Sequence, residues 1–282
     1  MAAVAANLPF PAMSAKIKRI GIQLYTLREE LGRNLDGTLA ELAKIGYKEL
    51  ESFPAWQRGH FWGLSPIEFQ KKVQNLGMKV VSTHISTGYK EPVSDALSAA
   101  HLGQNFEKFA DACAEAGLAY IVCPYLAEDE RKNIDDYKRK AELFNRSGAI
   151  CKERGITFCY HNHAFEFEKI DNQIPFDVLM EHTDPALVYF ELDLFWITKA
   201  GFKAEEYINK YPGRYRLYHV KDMSATDKVF APVGTGIIDF ASIFKLNKVA
   251  GTQHFFVEQD KFTAPAMESV KTSFNNLKKL RF

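Results

Sequence analysis

The sequence predicts an α/β protein, a (β/α)8 TIM barrel, on three observations. Eight runs rich in β-branched and aromatic residues recur at intervals of roughly 28 to 40 residues. Stretches with apolar residues at helical spacing lie between them. Four of those stretches stop at a glycine directly ahead of the next run, at Gly46, Gly77, Gly117 and Gly155. Glycine just past a helix supplies the left-handed cap from which the chain reverses into a strand. A chain of 282 residues accommodates eight such units in one closed parallel barrel.

In chain order the expected strands are Arg19–Leu24, Tyr47–Glu51, Lys79–His84, Ala119–Cys123, Thr157–Asn162, Leu187–Asp193, Tyr215–Lys221 and His254–Glu258. They lack clean polar–apolar alternation, as strands covered on both faces do. Helices are expected over Leu35–Ile45, Pro66–Leu76, Asn105–Ala116 and Ile134–Arg154. Ser65-Pro66 is a helix start, with serine as cap and proline in the first turn. An open doubly wound sheet would want a glycine-rich phosphate turn after an early strand, and Gly21-Ile22-Gln23-Leu24-Tyr25 is not one. Residues 17–282 therefore read as a single domain. Residues 1–16 are alanine-rich with Pro9 and Pro11. They are expected to be a disordered leader or the remnant of an export signal, lacking the basic start and long apolar stretch of an intact one. A periplasmic and a cytoplasmic location both stay open.

Charge and composition exclude other classes. Thirty-six basic against 35 acidic residues give a net charge of +1, with no basic block to engage nucleic acid. No run approaches the roughly 18 apolar residues of a membrane span. Cys113, Cys123, Cys151 and Cys159 have no metal-ligand spacing and read as small buried hydrophobes.

The chemistry collects where strands end. Tyr160-His161-Asn162-His163, Glu191-Leu192-Asp193, Tyr218-His219-Val220-Lys221-Asp222 and Val257-Glu258-Gln259-Asp260 are apolar runs that stop abruptly at imidazoles and carboxylates. Active sites of this fold lie at the C-terminal ends of the strands. Gln23, Glu51 and His84 end earlier strands and join the candidates. Residues two apart share a strand face, so His161 with His163, Glu191 with Asp193, and His219 with Lys221 are expected to point inward together. Each has a plainer reading: satisfied barrel histidines, Asp193 as a helix cap, Lys221-Asp222 as a surface pair, Glu51 and Glu191 as structural ion-pair partners. Tyr25, Phe195 and Trp196 either stack on a sugar ring or simply pack. Buried carboxylates without partners are costly, which makes the joint occurrence point to a divalent cation.

Several motifs together carry a resemblance. They are Ile20–Thr26 (IGIQLYT), Gly46–Glu51 (GYKELE), Tyr160–Phe167 (YHNHAFEF), Glu191–Trp196 (ELDLFW), His219–Met223 (HVKDM), Val233–Asp239 (VGTGIID) and Val257–Asp260 (VEQD). In these the chain resembles, from about residue 17 to its end, the sugar phosphate isomerase/epimerase superfamily, the xylose isomerase-like TIM barrels that include tagatose/psicose 3-epimerases and inosose dehydratase. The resemblance implies one divalent metal on Asp193, His219, Glu258 and a strand-5 residue. Where many members have glutamate this chain has His161, with Glu166 as the substitute ligand. Mn²⁺, Co²⁺, Zn²⁺ or Fe²⁺ suits that donor set better than Ca²⁺. The histidine that endonuclease IV carries after the Asp193 position is Trp196 here, which argues against a DNA-repair site.

The same resemblance implies a catalytic set of Glu258, His161 and Lys221, with Gln23, Tyr25, Glu51, His84, His163, Glu166, Trp196 and Lys221 facing a sugar or keto-sugar. The expected chemistry is removal of a proton beside a carbonyl to an enediolate that the cation stabilises. Isomerisation or epimerisation leads. A lyase or hydratase acting on a 3-keto-glycoside or inosose-type substrate is the alternative, favoured by Lys221 and by the loss of a symmetric glutamate pair. A barrel that binds sugar without catalysis is the third reading. Rim loops Phe53–Leu64 and Ser86–Val93 are expected to set specificity, and Ser224–Gly236 to cover the site and move about Gly234 and Gly236. Related barrels often pair, so a homo-oligomer remains open.

Overall fold

The computed structural model of the protein describes residues 15–54, 60–88 and 100–282. Most of the expected leader and parts of both specificity loops, 55–59 and 89–93, lie outside the described residues. The strands are β1 (Gly21–Gln23), β2 (Glu49–Ser52), β3 (Lys79–His84), β4 (Tyr120–Cys123), β5 (Thr157–His161), β6 (Val188–Asp193), β7 (Tyr215–Val220), the short β8 (Asp222–Met223) and β9 (Phe230–Ala231), and β10 (His254–Val257). β1 to β7 and β10 pair in chain order, and β10 closes on β1 to complete a parallel barrel of eight strands. β8 and β9 form a separate antiparallel pair.

Helices α1 (Arg28–Arg33), α2 (Leu35–Ile45), α3 (Pro66–Gln74), α4 (Phe106–Glu115), α5 (Ile134–Glu153), α6 (Pro175–His182), α7 (Leu194–Lys199), α8 (Ala204–Lys210), α9 (Phe240–Phe244), α10 (Asn247–Ala250) and α11 (Ala266–Lys279) lie between and after the strands. The four helix-ending glycines adopt φ of +122°, +74°, +76° and +70°. Such angles cost a residue with a Cβ, so these glycines fix where each helix gives way to a strand. At α3 the Ser65 side chain accepts from the Glu68 amide while Glu68 Oε2 accepts from the Ser65 amide at 2.9 Å. The second half of the barrel departs from simple alternation. α7 follows β6 without a loop, and α8, α9 and α10 are too short for their periodicity to register in sequence.

Register positions the site. Asp193 pairs with His219, His161 with Glu191, and Gln23 with Glu51. The ladders are irregular immediately before Glu51 and Glu191. Bulges of this kind re-aim a side chain, and here each precedes a carboxylate of the barrel interior. One side-chain layer toward the N-terminal end, Leu217, Phe256 and Cys159 precede His219, Glu258 and His161 by two residues. With Val81, Tyr120 and Val122 they form an apolar plug inside the barrel. The larger apolar cluster fills the space between strands and helices. The cysteines are free and buried within these two clusters.

Candidate metal centre

Asp193 is positioned by two jobs at once. Its Oδ1 accepts from the Trp196 amide at 2.8 Å and caps α7, while Oδ2 faces the barrel axis 3.1 Å from His161 Nε2. The cap reading of this residue is therefore realised, and its second oxygen is left to face the axis. His161 Nδ1 lies 3.1 Å from the Pro124 carbonyl. A carbonyl oxygen only accepts, so Nδ1 carries the hydrogen and a neutral ring aims its Nε2 lone pair at the Asp193 carboxylate. Two acceptors face each other there, an arrangement that a cation between them resolves. Burial, with His219 beside it, pushes the His161 pKa down and keeps that lone pair free.

His219 is fully buried with one nitrogen toward each of two clusters. Its Nε2 lies 2.6 Å from Glu51 Oε1 and 3.0 Å from Glu191 Oε2. Its Nδ1 lies 2.8 Å from Glu258 Oε2 and 3.8 Å from Asp193 Oδ2, yet has no hydrogen-bond partner. With the hydrogen on Nε2, donated to the glutamates, the orphaned Nδ1 joins His161 Nε2, Asp193 and Glu258 in a set of four donors within 4.8 Å of one another. Tetrahedral bonds of about 2.0–2.2 Å give donor separations of about 3.3–3.6 Å. The separations of 2.8, 3.1 and 3.8 Å bracket that value. The residues thus fit a first-row divalent ion, in agreement with an N₂O₂ donor set.

The cluster attracts positive charge. Burial alone would lower the His219 pKa, but Glu191, Glu258 and Glu51 raise it well above its ordinary value. Burial would raise Asp193 and Glu258. Lys221 overrides it, together with His161 and His219, holding Asp193 at about 2 and Glu258 well below the usual range. Lys221 Nζ lies 2.7 Å from Glu258, 3.1 Å from Asp193 and 3.2 Å from Asp260. Burial opposes its charge, and these carboxylates raise its pKa well above the ordinary lysine value, so it is an ammonium.

The expected substrate-facing residues divide into three groups. Gln23, Glu51 and His84 form an inner layer with Ser82 and Glu191. Gln23 Nε2 donates to Glu51 Oε1 at 3.0 Å, Ser82 donates to Glu51 Oε2 at 2.5 Å, and His84 Nε2 sits 2.9 Å from Glu51. Burial lowers His84, but Glu51 and Glu191 lift it to about 9. Most of these polar atoms engage one another and support His219, while Glu191 Oε1 has no hydrogen-bond partner and Glu51, His84, Glu191 and His219 form a second set of donors within 4.8 Å of one another. Tyr25, His163 and Trp196 stand on the rim. Tyr25 meets Phe53 edge-on under Arg28, and His163 lies between Phe165 and Trp196. Glu166 is apart from the metal cage. Its carboxylate accepts from the Tyr160 hydroxyl at 2.5 Å and the His163 amide at 2.8 Å, which leaves the substitute-ligand role without geometry.

Asp222 corrects one expectation and anchors the loop beyond it. Asp222 is 1% exposed, so Lys221-Asp222 is not a surface pair. Its carboxylate accepts from the amides of Met223, Gly234, Gly236 and Ile238. A Cβ on Gly236 would meet the Met223 carbonyl at 2.2 Å and Asp222 Oδ1 at 2.4 Å. Gly236 thus permits the close approach of the loop to Asp222. The loop they anchor carries Phe230 onto Phe195, with ring centroids 4.2 Å apart. Sequence reasoning missed Phe230, which packs on Phe195, and Tyr125, which approaches His163, both carried by loop paths; it named Asp260 in a strand-end segment without a role, although its position two residues after Glu258 was a readable signal.

A family model described as xylose isomerase-like TIM barrel matches residues 39–280. Among curated proteins, an inosose dehydratase of Geobacillus kaustophilus (strain HTA426) is 25% identical over 240 residues, with 74% of each chain covered. An inosose dehydratase of Clostridium perfringens is 32% identical over 156 residues, 48% of this chain and 52% of that one. Among solved structures, a sugar phosphate isomerase/epimerase from Parabacteroides distasonis ATCC 8503 is 28% identical, covers 98% of both chains and superposes with a TM-score of 0.76. The closed barrel, its strand-end cage and the match over most of the chain agree: this protein belongs to the xylose isomerase-like TIM barrel family.

Proposed function

We propose that the protein is a divalent-cation-dependent lyase that eliminates water or an alcohol from a polyhydroxylated ketone, a keto-cyclitol or keto-sugar. The carrying observation is the asymmetry of the cage. Glu258 and Lys221 stand 2.7 Å apart, whereas His161 is fixed by the Pro124 carbonyl and turns its remaining lone pair toward Asp193, as a ligand and not as a base toward substrate. Epimerisation needs a base on each face of the reacting carbon. Elimination needs one base and an adjacent acid. The inosose dehydratase relatives support this reading over the isomerase or epimerase reading that leads from sequence.

His161, Asp193, His219 and Glu258 would hold a cation, which would supply polarisation of the ketone. Glu258, kept ionised by Lys221 and His219, takes the proton from the carbon beside the carbonyl. The Lys221 ammonium gives a proton to the departing β-oxygen, and Asp260 and Asp193 hold its Nζ in place meanwhile. The inner layer of Glu51, Glu191 and His84 keeps His219 in the tautomer that presents Nδ1.

The test is incubation of the Mn²⁺- or Co²⁺-loaded protein with an inosose in heavy water. The expected product has lost water and absorbs as an unsaturated ketone or diketone. Glu258→Gln should lower the rate by about 10²–10⁴, the usual worth of a positioned base, and Lys221→Met by a similar factor. A deuterated epimer with all its oxygens would give the reaction to the epimerases. Saturable binding without any exchange would leave a sugar-binding barrel.

A further inference from the structure

On the other side of His219 from the cage, the inner layer closes a circuit of its own. His219 Nε2, Glu51 Oε1, His84 Nε2 and Glu191 Oε2 alternate nitrogen and oxygen, with successive separations of 2.6, 2.9, 3.4 and 3.0 Å. All four residues are buried. Hydrogens are too few for these contacts. Each imidazole has one hydrogen at most on Nε2, so two hydrogens face four nitrogen–oxygen contacts. Glu51 has further donors in Gln23 and Ser82. Glu191 lacks them, and its fully buried Oε1 has no hydrogen-bond partner. Among the described residues neither glutamate pairs with a lysine or an arginine. A carboxylate buried with an incomplete set of partners is costly, and one cation bound by all four side chains removes the deficit. Bonds of about 2.0–2.2 Å, in square-planar to tetrahedral arrangement, put neighbouring donors about 2.8–3.6 Å apart. Three of the four separations fall in that range, and the fourth lies just below it.

We infer that Glu51, His84, Glu191 and His219 form a second site for a first-row divalent cation, with His219 bridging the inner and outer ions as an imidazolate. The inner cation takes the place of the His219 Nε2 hydrogen, which leaves to solvent as a proton, and no oxidant or other reactant is needed. Displacing that proton makes the inner site the weaker one, so a single equivalent fills the outer cage first. Ions on the two nitrogens of one imidazole lie about 6 Å apart. Two metals that clamp one substrate sit about 3.5–4 Å apart, so the inner ion takes no direct part in the reaction. It ties β2, β3, β6 and β7 together and makes His219 a stronger donor to the outer ion. The inference does not depend on the elimination reading.

The experiment strips the full-length protein with a chelator and counts Zn²⁺ by elemental analysis. Zn²⁺ is supplied as one equivalent and then in excess, both to the native chain and during refolding, because the inner layer is buried. The wild type should hold one ion per chain and then two. Glu191→Gln and His84→Phe should stop at one, whereas Glu258→Gln should lose the outer ion and keep the inner. With Cu²⁺ in excess the bridged pair should couple magnetically. The wild type should then give far less electron-spin-resonance signal than two isolated ions, and Glu191→Gln the full signal of one. Wild-type stoichiometry and coupling decide the matter even if a variant fails to fold. A wild type that stops at one ion by both routes, with that ion lost in Glu258→Gln, overturns the inner site and leaves a hydrogen-bonded support. A second ion that persists in Glu191→Gln and His84→Phe, or two uncoupled Cu²⁺, overturns it as well. One ion that is lost in Glu191→Gln and kept in Glu258→Gln supports the inner site and removes the outer cage instead.

Discussion

Single residues in this barrel hold unusual charge states because each is buried among specific partners. Glu166 is the clearest case outside the cage. Burial raises its carboxyl from 4.5 to about 7, although the Tyr160 hydroxyl and the His163 amide favour the anion. A carboxyl bound more tightly to its proton in the folded state supports stability fully below about pH 4.5 and loses that support as pH rises through about 7. A shift of this size is worth roughly 3 kcal/mol. Thermal unfolding between pH 5 and 8 should therefore show Glu166→Gln gaining on the wild type as pH rises, and parallel curves would sink the assignment. His219 is the other decisive residue. His219→Ala should reduce bound Mn²⁺, Co²⁺ or Zn²⁺ from about one per chain to near zero by elemental analysis. It should also cost about 3–5 kcal/mol, because Glu51, Glu191 and Glu258 lose the partner that offsets their burial.

Elements set the precision of the site. β6 runs directly into α7 through Asp193, so one carboxylate ends a strand, starts a helix and faces the cation. The irregularities in β2 and β6 turn Glu51 and Glu191 onto His219. The segment after β9 is tied back to β8 by Asp222, whose two oxygens accept four backbone amides. Asp222→Asn places an NH₂ against some of those donors and should cost about 1–3 kcal/mol, the penalty for a buried donor left unpaired. Hydrogen exchange at Gly234, Gly236 and Ile238 should quicken more than exchange in β7. Gly236→Ala should be at least as damaging, since its Cβ has no room beside the Met223 carbonyl. Unchanged protection in both variants would show that the loop is anchored elsewhere, through Ser273 and Asn276.

Across the whole molecule the barrel has an apolar layer with polar chemistry on either side of it. At the N-terminal end Glu49 meets Arg19 at 2.6 Å and His254 at 2.7 Å. At the other end lies the cage, with the apolar plug between. No helix among the described residues is long and apolar enough to cross a membrane. Four donors from β5, β6, β7 and the end of β10 converge on one point, so a cation there ties together half the barrel wall. Linkage then predicts that cation at 100 times its dissociation constant stabilises the fold by about 2.7 kcal/mol, read as a rise in unfolding temperature that a chelator reverses. A temperature indifferent to both would mean that the cage does not hold the ion.

The sequence by itself determined the barrel, most strand and helix bounds in its first half, and the strand-end residues that meet in the cage. Those features depend on local rules: β-branched runs, the 3.6-residue period, glycine beyond a helix, and two-residue alternation on a strand. Tertiary structure alone decided which nitrogen of His219 faces the cage, since that follows from Glu51 and Glu191 arriving from other strands. It also placed Glu166 on Tyr160, brought Gly236 against Asp222, and set Asp260 between Lys221 and a surface cavity lined by Arg28 and Phe262. Each of these is a distance between residues far apart in the chain or carried on an irregular loop, and no periodicity encodes it.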